Sequence, residues 1–165
     1  SKTPVGIVAY VNGSTGFAIS LRETSRVWGG NSYNVPCLGD MDSNAASTDM
    51  NGKTNTMCLL KSMNVYPAAE YCNTYSAVSS GKGSDGWYLP AAGELMAMSY
   101  NYSAIYGTLS KLSQTQISSG YYWSSSESSK TVNYNNLAWA VMLYNGNMLS
   151  ISKNDSNHVR CILPL

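Results

Sequence analysis

The chain has 165 residues, which predicts one domain over residues 1–165 that is long enough to bury a sizeable core. Hydrophobic residues make up 44% of the chain and charged residues only 12%, so the composition excludes a disordered protein. The formal net charge of +1 gives no electrostatic basis for binding nucleic acid or an anionic membrane. We find no signal peptide and no segment long and apolar enough to cross a bilayer. We therefore expect a mature or trimmed chain without direct membrane insertion.

Neutral polar residues replace the missing charges. Ser, Asn and Thr are abundant, and the chain contains 13 tyrosines. These residue types make adaptable contacts at low entropic cost, and they are frequent on extracellular proteins and on binding surfaces. The composition therefore favours an extracellular protein with a polar, uncharged binding surface.

The cysteines indicate an oxidising compartment. The chain has four of them, at Cys37, Cys58, Cys72 and Cys161. Their spacing lacks the Cys-x-x-Cys pairs of zinc sites and of thioredoxin-type redox sites. The even number predicts two disulfides, and four buried free thiols are the alternative.

The N-terminal segment reads as a hairpin. Residues 5–11 form a continuous apolar run that predicts a buried strand, and residues 17–21 predict the returning strand. Asn12-Gly13 opens the turn between them, and we expect a loop longer than the two-residue ideal.

Residues 28–56 are rich in Gly, Asn, Asp and Ser, and we expect little regular structure there. The spacing of the acidic and amide residues has some likeness to a calcium loop; these residues are Asp40, Asp42, Asn44 and Asp49. However, Ala45 occupies the position of the loop glycine and Asn51 that of the bidentate glutamate. Turns in which Asx side chains bond their own backbone are the preferred interpretation.

Three helices are predicted in the middle of the chain. The first begins at Pro67 and directs Cys72 toward the core. The second follows Pro90 at a strand-to-helix junction, with Glu94 in its first turn, where a carboxylate complements the helix dipole. A third helix is capped by Ser103, and its apolar stripe consists of Ile105, Leu109 and Leu112.

The C-terminal part changes to strand patterns. The predicted strands cover residues 122–127, 137–144, 148–152 and 158–163, and Asn145-Gly146 is the strongest hairpin signal in the chain. Trp139, Val141 and Leu143 alternate with Ala140, Met142 and Tyr144, and we expect the second set to face away from the core. The order of strands, helices and strands predicts an α+β fold with antiparallel sheets.

Several short motifs occur in order along the chain: Asp49-Met-Asn-Gly-Lys-Thr-Asn-Thr56, Pro67-Ala-Ala-Glu-Tyr-Cys72, Gly86-Trp-Tyr-Leu-Pro-Ala-Ala-Gly-Glu-Leu95, Tyr122-Trp-Ser-Ser-Ser-Glu127, Ala138-Trp139, Gly146, Lys153 and Val159-Arg-Cys-Ile162. By these motifs the chain resembles, over roughly residues 49–163, the lectin-like domains of secreted or surface bacterial proteins, a family mostly of unknown function. This family has the C-type lectin fold in its formylglycine-generating-enzyme-like form. The variable proteins of diversity-generating retroelements use the same form.

The resemblance implies a C-type-lectin-like fold with two to three helices and two disulfides. In such folds a cysteine on the first helix commonly bonds one on the last strand, which implies Cys72–Cys161 and leaves Cys37–Cys58. The short acidic motifs of calcium-dependent lectins are absent, with Asn154-Asp155 as a weak candidate only. We therefore expect neither a metal ion nor another cofactor.

No residue set indicates catalysis, and we expect that the protein is not an enzyme. His158 is the only histidine, and we interpret it as a surface or edge residue. Glu94 is explained by its helix start and Glu127 by a hydrogen-bonded strand end, which weakens a glycosidase pair. We interpret Arg160 as part of a structural salt bridge or as an exposed cation. Of the tryptophans, Trp28 is left unassigned, and three are assigned to the core: Trp87, Trp123 and Trp139.

The candidate ligand-binding surface lies between the motif residues of the C-terminal part. This region is rich in Asn, Ser, Tyr and Asp, which fits the adenine-templated diversification of retroelement variable proteins and also fits ordinary solvated loops. The predicted ligand-binding residues are Ser129, Lys130, Tyr134, Asn136, Met142, Tyr144, Asn145, Asn154 and Asp155.

We expect an adhesin or receptor-type domain, extracellular or on the outer cell surface, with the periplasm as an alternative. Its expected partner is a protein or glycan on another cell or surface. Two alternatives stay open. One is an oxidase of the formylglycine-generating type, and the other is a structural subunit of a surface assembly such as a pilus.

Overall fold

The computed structural model describes residues 3–30, 33–128 and 136–165. Within these ranges the chain forms eight strands and five helices. In chain order they are β1 (Gly6–Asn12), β2 (Thr15–Ser20), β3 (Thr24–Val27), α1 (Ser43–Ser47), α2 (Gly52–Lys61), α3 (Pro67–Thr74), α4 (Ala92–Tyr100), α5 (Tyr102–Lys111), β4 (Tyr121–Glu127), β5 (Leu137–Met142), β6 (Asn147–Ser152), β7 (Ser156–Val159) and β8 (Ile162–Pro164).

The α+β class is confirmed, but the helices outnumber the expected two to three. Of the two additional helices, α1 lies within residues 28–56, which the sequence predicted to be irregular, and α2 begins there and continues to Lys61. Asp42 begins α1 as its N-cap, because its Oδ1 accepts a hydrogen bond of 2.9 Å from the backbone N–H of Ala45. One of the Asx residues of this segment thus begins a helix, whereas the sequence interpretation had assigned them to turns. In α5 the N-cap is Asn101 instead of the predicted Ser103.

The first sheet has the strand order β1-β2-β8, and all its pairs are antiparallel. β1 forms one edge, and the prediction of a buried strand is wrong for its outer face, where Val8 and Val11 are 56% and 59% exposed. The hairpin loop is also shorter than predicted, since only residues 13 and 14 separate β1 from β2. Gly13 makes this two-residue turn possible with a φ of 60°.

The second sheet has the order β3-β7-β4-β5-β6 and is mixed, because Tyr122 of β4 pairs in parallel with His158 of β7. The predicted closing strand over residues 158–163 is divided between the sheets, with β7 in the second and β8 in the first. Ser20 bonds the residue at which the chain passes from one sheet to the other. Its N–H donates to the carbonyl of Cys161 at 2.8 Å, and its hydroxyl accepts a hydrogen bond from the N–H of Cys161. The last segment thus links the two sheets.

Two hydrophobic clusters cover opposite faces of β5. Trp139 and Val141 belong to the cluster that includes α4, whereas Ala138 and Ala140 belong to the cluster that includes Cys72 and Trp87. The prediction that Ala140 faces away from the core is therefore wrong, because a second core packs on that side of the sheet. A strand that is buried on both faces cannot be oriented by its alternation alone.

Two disulfides connect elements that are distant in sequence. Cys72 on α3 bonds Cys161 between β7 and β8, and Cys37 bonds Cys58 on α2. This is the pairing that the resemblance implies. A crosslink of this kind stabilises mainly by restricting the unfolded chain. Cys72–Cys161 attaches α3 to the C-terminal segment, and Cys37–Cys58 attaches the segment before α1 to α2.

Glu94 organises the start of α4 from the protein interior. Its Oε2 accepts a hydrogen bond of 2.7 Å from the N–H of Ala91, and its Oε1 accepts one of 3.1 Å from the Tyr88 hydroxyl. Gly52 lies so close that a Cβ there would meet Oε2 at 2.1 Å. Glu94 is only 4% exposed, and this burial, helped by the nearby charge of Asp49, raises the pKa of its carboxyl to about 7.

We expect Glu94 to make stability depend on pH. A carboxyl whose pKa rises from 4.5 to about 7 on folding binds more protons in the folded state between these values. The free energy of unfolding should therefore fall as pH rises from about 4.5 to about 7, by up to roughly 3 kcal/mol. In Glu94→Gln this component should disappear. Urea unfolding of both proteins at several pH values measures the difference, and parallel pH profiles would contradict the assignment.

Candidate functional site

Lys153, between β6 and β7, is a fully buried lysine beside the predicted ligand-binding region. Its Nζ donates hydrogen bonds to Oε1 of Glu127 and, at 2.7 Å, to the carbonyl of Tyr33. The ammonium also lies 4.7 Å from the centre of the Trp28 ring, within the range of a cation–π interaction. We call Lys153, Glu127 and Trp28 the Lys153 anchor.

The Lys153 anchor joins three segments of the chain. Glu127 ends β4 and also accepts a hydrogen bond of 3.1 Å from the N–H of Val35. Trp28 donates its indole N–H to the carbonyl of Ser124 at 2.7 Å, and its backbone N–H donates to the carbonyl of Lys153 at 3.1 Å. Burial raises the pKa of the Glu127 carboxyl, and the hydrogen bond from Lys153 opposes the rise.

The sequence predicted part of this arrangement. The interpretation of Glu127 as a hydrogen-bonded strand end agrees with the structure, and Trp28, which the sequence left unassigned, is a core residue. Trp87, Trp123 and Trp139 are buried, as expected. The role of Lys153 was missed, although it stood among the motif residues. The residues around Lys153, Ser-Ile-Ser before it and Asn-Asp-Ser after it, are mostly polar and gave no local signal of burial.

The predicted ligand-binding residues that the structure describes divide into two groups at opposite ends of the β5–β6 hairpin. Ser129, Lys130 and Tyr134 lie outside the described residues. At one end the carbonyl of Asn136 accepts a hydrogen bond from the N–H of Lys153 at 2.7 Å. Two further residues of this group, Asn154 and Asp155, are exposed in the turn before β7.

Met142, Tyr144 and Asn145 form the group at the other end of the hairpin. With a rise of about 3.3 Å per residue, the length of β5 places the two groups roughly 17 Å apart. They are therefore not one continuous contact surface. Met142 is half-buried and pairs with Tyr121, whereas Tyr144 is 64% exposed.

The connection between β5 and β6, residues 143–146, is the hairpin turn. The predicted strand end at Tyr144 is wrong, because β5 ends at Met142 and Leu143 turns into the core. Gly146 donates its N–H to the carbonyl of Met142 at 2.8 Å and has a φ of 73°. A Cβ at Gly146 would lie 3.0 Å from Oγ of Ser99, so the hairpin turn rests on the C-terminal end of α4.

Tyr102 of α5 contacts the hairpin turn and Tyr106 contacts Tyr102, and sequence reasoning found neither of them. The ring of Tyr144 meets that of Tyr102 with centroids 6.4 Å apart, and Tyr102 lies 5.7 Å from Tyr106. We call these three residues the tyrosine cluster. The i, i+4 spacing of Tyr102 and Tyr106 places both on one helix face, which was the available signal.

The other candidates for chemistry have structural roles. Arg160 is fully buried, so the alternative of an exposed cation is wrong, and its Nε lies 3.5 Å from Oε2 of Glu23 in a salt bridge. The Tyr122 hydroxyl donates to the same carboxylate at 2.7 Å. His158 is half-buried, and its Nε2 lies 3.0 Å from the carbonyl of Ser119.

The acidic residues that suggested a calcium loop also bond within the fold. Asp49 is buried and accepts hydrogen bonds from the side chains of Asn51, Asn55 and Ser126. Across the described ranges, no group of three or more His, Cys, Asp or Glu side chains is arranged to hold a metal ion. All four cysteines are in disulfides. No helix in the same ranges has the length and apolar character needed to span a membrane.

These features define a disulfide-bonded α+β domain of the lectin-like class. The profile of the Lcl C-terminal domain family matches residues 22–163, and the chain belongs to this family. Its structure is similar to the crystal structure of a fimbrial protein from Bacteroides ovatus, with a TM-score of 0.66 and 17% sequence identity. That similarity covers 89% of this chain but 35% of the fimbrial protein, so the chain spans about a third of that protein's length. No curated protein matches the sequence.

We expect Lys153→Met to destabilise the protein by about 3–5 kcal/mol, because it leaves the Glu127 carboxylate buried without its cation. Lys53→Met is the matched control, since Lys53 is exposed on α2. Urea unfolding of the two variants and the wild type measures the free energies. Equal stabilities of the two variants would contradict the role of the Lys153 anchor.

Proposed function

We propose that this chain is an adhesin-type ligand-binding domain that is secreted or displayed on the cell surface, and that it is not an enzyme. Its ligand is a protein or glycan on another cell or surface. The observation that carries the proposal is the hairpin turn, where Tyr144 and Asn145 project into solvent from a buried and crosslinked support. A binding surface on such a support loses little conformational entropy when the ligand binds.

Three observations support a surface location. Both disulfides require an oxidising compartment to form and persist. The low charge and the many Tyr, Ser and Asn residues are typical of extracellular binding surfaces. The structurally similar protein from Bacteroides ovatus is described as fimbrial.

The oxidase alternative has lost support. Activation of oxygen by the formylglycine-generating type uses a pair of cysteines, whereas each cysteine here is bonded within the domain. Diversification of the C-terminal region by a retroelement stays a prediction. A reverse transcriptase gene and a template repeat of residues 128–157 in the genome neighbourhood would support it.

The two ends of the β5–β6 hairpin allow the binding surface to be located. We expect Tyr144→Ala to reduce adhesion of domain-coated beads at least tenfold in a screen of glycans and surface proteins, because it removes the most exposed aromatic group of the hairpin turn. The matched control is Asn154→Ala/Asp155→Ala at the opposite end, which should bind like the wild type. Circular dichroism verifies that all variants fold. Loss of binding in the control alone would contradict the assignment to the hairpin turn.

A second candidate function is a structural subunit of a surface assembly, and the edge strand β1 favours it. Its outer face exposes Val8 and Val11, and a cavity of about 300 Å³ lies between this strand and α5. An edge strand with exposed apolar side chains is able to pair with a strand of another chain. The similarity to a fimbrial protein fits this candidate as well.

We expect lysines on the β1 edge to separate the two candidates. If the domain is a structural subunit, Val8→Lys/Val11→Lys abolishes self-association or assembly, because charged residues on an edge strand oppose strand pairing. If it is an adhesin, the variant binds its ligand like the wild type and stays in the same oligomeric state. Light scattering and bead adhesion measure the two properties. Loss of adhesion in this variant without a change in association would contradict both assignments.

A further inference from the structure

The tyrosine cluster forms an aromatic surface from two parts of the chain. Tyr144 comes from the hairpin turn, and Tyr102 and Tyr106 come from α5. Tyr102 is the central member because its ring contacts both others, and it is half-buried between them. Tyr106 and Tyr144 are 41% and 64% exposed, so both present ring surface to solvent. The half-buried Tyr102 therefore supports the two outer rings, and these are accessible to a ligand.

The hairpin turn holds Tyr144 beside α5. Gly146 packs against Ser99 at the end of α4, which leads through Asn101 into α5. The Asn145 Oδ1 accepts a hydrogen bond of 2.9 Å from the N–H of Asn147, and the Asn147 amide donates to the Tyr121 hydroxyl at 2.7 Å. These contacts fix the turn, so its tyrosine has little freedom to lose on binding.

The segments that form the tyrosine cluster contain no charged residue. The sequence has none between Glu94 and Lys111, and none between Lys130 and Lys153. The exposed arginines Arg22 and Arg26 contact other tyrosines. The guanidinium carbon of Arg22 lies 5.4 Å from the ring centre of Tyr75, and that of Arg26 lies 5.4 Å from the ring centre of Tyr71. These segments therefore contribute no charged group that would attract an anionic ligand or pair with a charged protein rim.

We propose that the tyrosine cluster, together with the Asn145 amide, binds an uncharged glycan. This inference rests on the proposed ligand-binding function and specifies the class of ligand. Tyrosine rings carry a negative face that attracts the weakly positive C–H groups of a sugar ring, and the phenol and amide groups bond sugar hydroxyls. The rings of Tyr102 and Tyr144 meet at an interplanar angle of 73°, so the cluster presents ring faces in more than one orientation to the sugar.

The test uses neutral polysaccharides as probes: mannan, galactan and dextran, each cast into a native gel for affinity electrophoresis. We expect the wild-type domain to be retarded by at least one of them, with the same retardation at low and high salt, because no charge is involved. Tyr106→Ala and Tyr144→Ala should each weaken binding at least tenfold. Tyr144→Phe should retain most of it, since the ring remains.

Tyr100→Ala is the matched control for the tyrosine cluster. Tyr100 ends α4 and is 82% exposed, and within the described ranges its ring has no stacking partner in the tyrosine cluster. Its removal should leave retardation unchanged. Binding to a protein alone, with loss in Tyr144→Ala, would overturn the glycan inference and leave the proposed function standing. Salt-sensitive binding to an anionic polysaccharide alone, or equal binding by every variant, would also overturn it.

Discussion

The buried ammonium group of Lys153 is the constraint on which the C-terminal half of the structure depends. A lysine without solvent is costly unless its charge is compensated, and here a carboxylate, a backbone carbonyl and an indole ring provide the compensation. Glu127 ends β4, whereas Trp28 and Tyr33 belong to the segment after β3, so the arrangement requires both parts of the chain to meet the β6–β7 turn. The anchor thereby fixes one end of the β5–β6 hairpin.

The rest of the fold extends this support to the other end of the hairpin. β5 is buried on both faces, and the disulfide between Cys72 and Cys161 attaches the helical side of the molecule to the last strands. Gly146 allows the hairpin turn to rest directly on α4. Side chains on this turn are therefore presented by a support with few conformational alternatives. Such preorganisation is useful for adhesion, where individual contacts are weak.

The sequence allowed the α+β class to be predicted, and the start of α4 follows directly from local chemistry. Pro90 lies one residue before the N-cap Ala91 and so outside the helix, whereas Glu94 supplies the expected carboxylate in the first turn. The division of the closing segment into β7 and β8 was not predictable in the same way. It depends on the crossing between two sheets at Cys161, which is a long-range feature with no local signal.

The candidate site illustrates the same limit. Composition pointed to the C-terminal region, and Tyr144 is indeed among its most exposed side chains. Sequence order nevertheless suggested one surface, whereas an antiparallel hairpin sends consecutive loops to opposite ends. Tyr102 and Tyr106 were missed for the converse reason, since α5 is distant in sequence from Tyr144 and the two are brought together by the packing of the hairpin turn on the end of α4.

The most direct measurement is amide hydrogen exchange of the domain with and without a polysaccharide or surface protein that it binds. If binding occurs on a preformed surface, protection increases in residues 102–106 and 142–147, while residues 122–127 and 153 exchange as slowly as before. Protection confined to residues 6–12 would contradict this account, because it would place the partner on the edge of β1 instead of the hairpin turn.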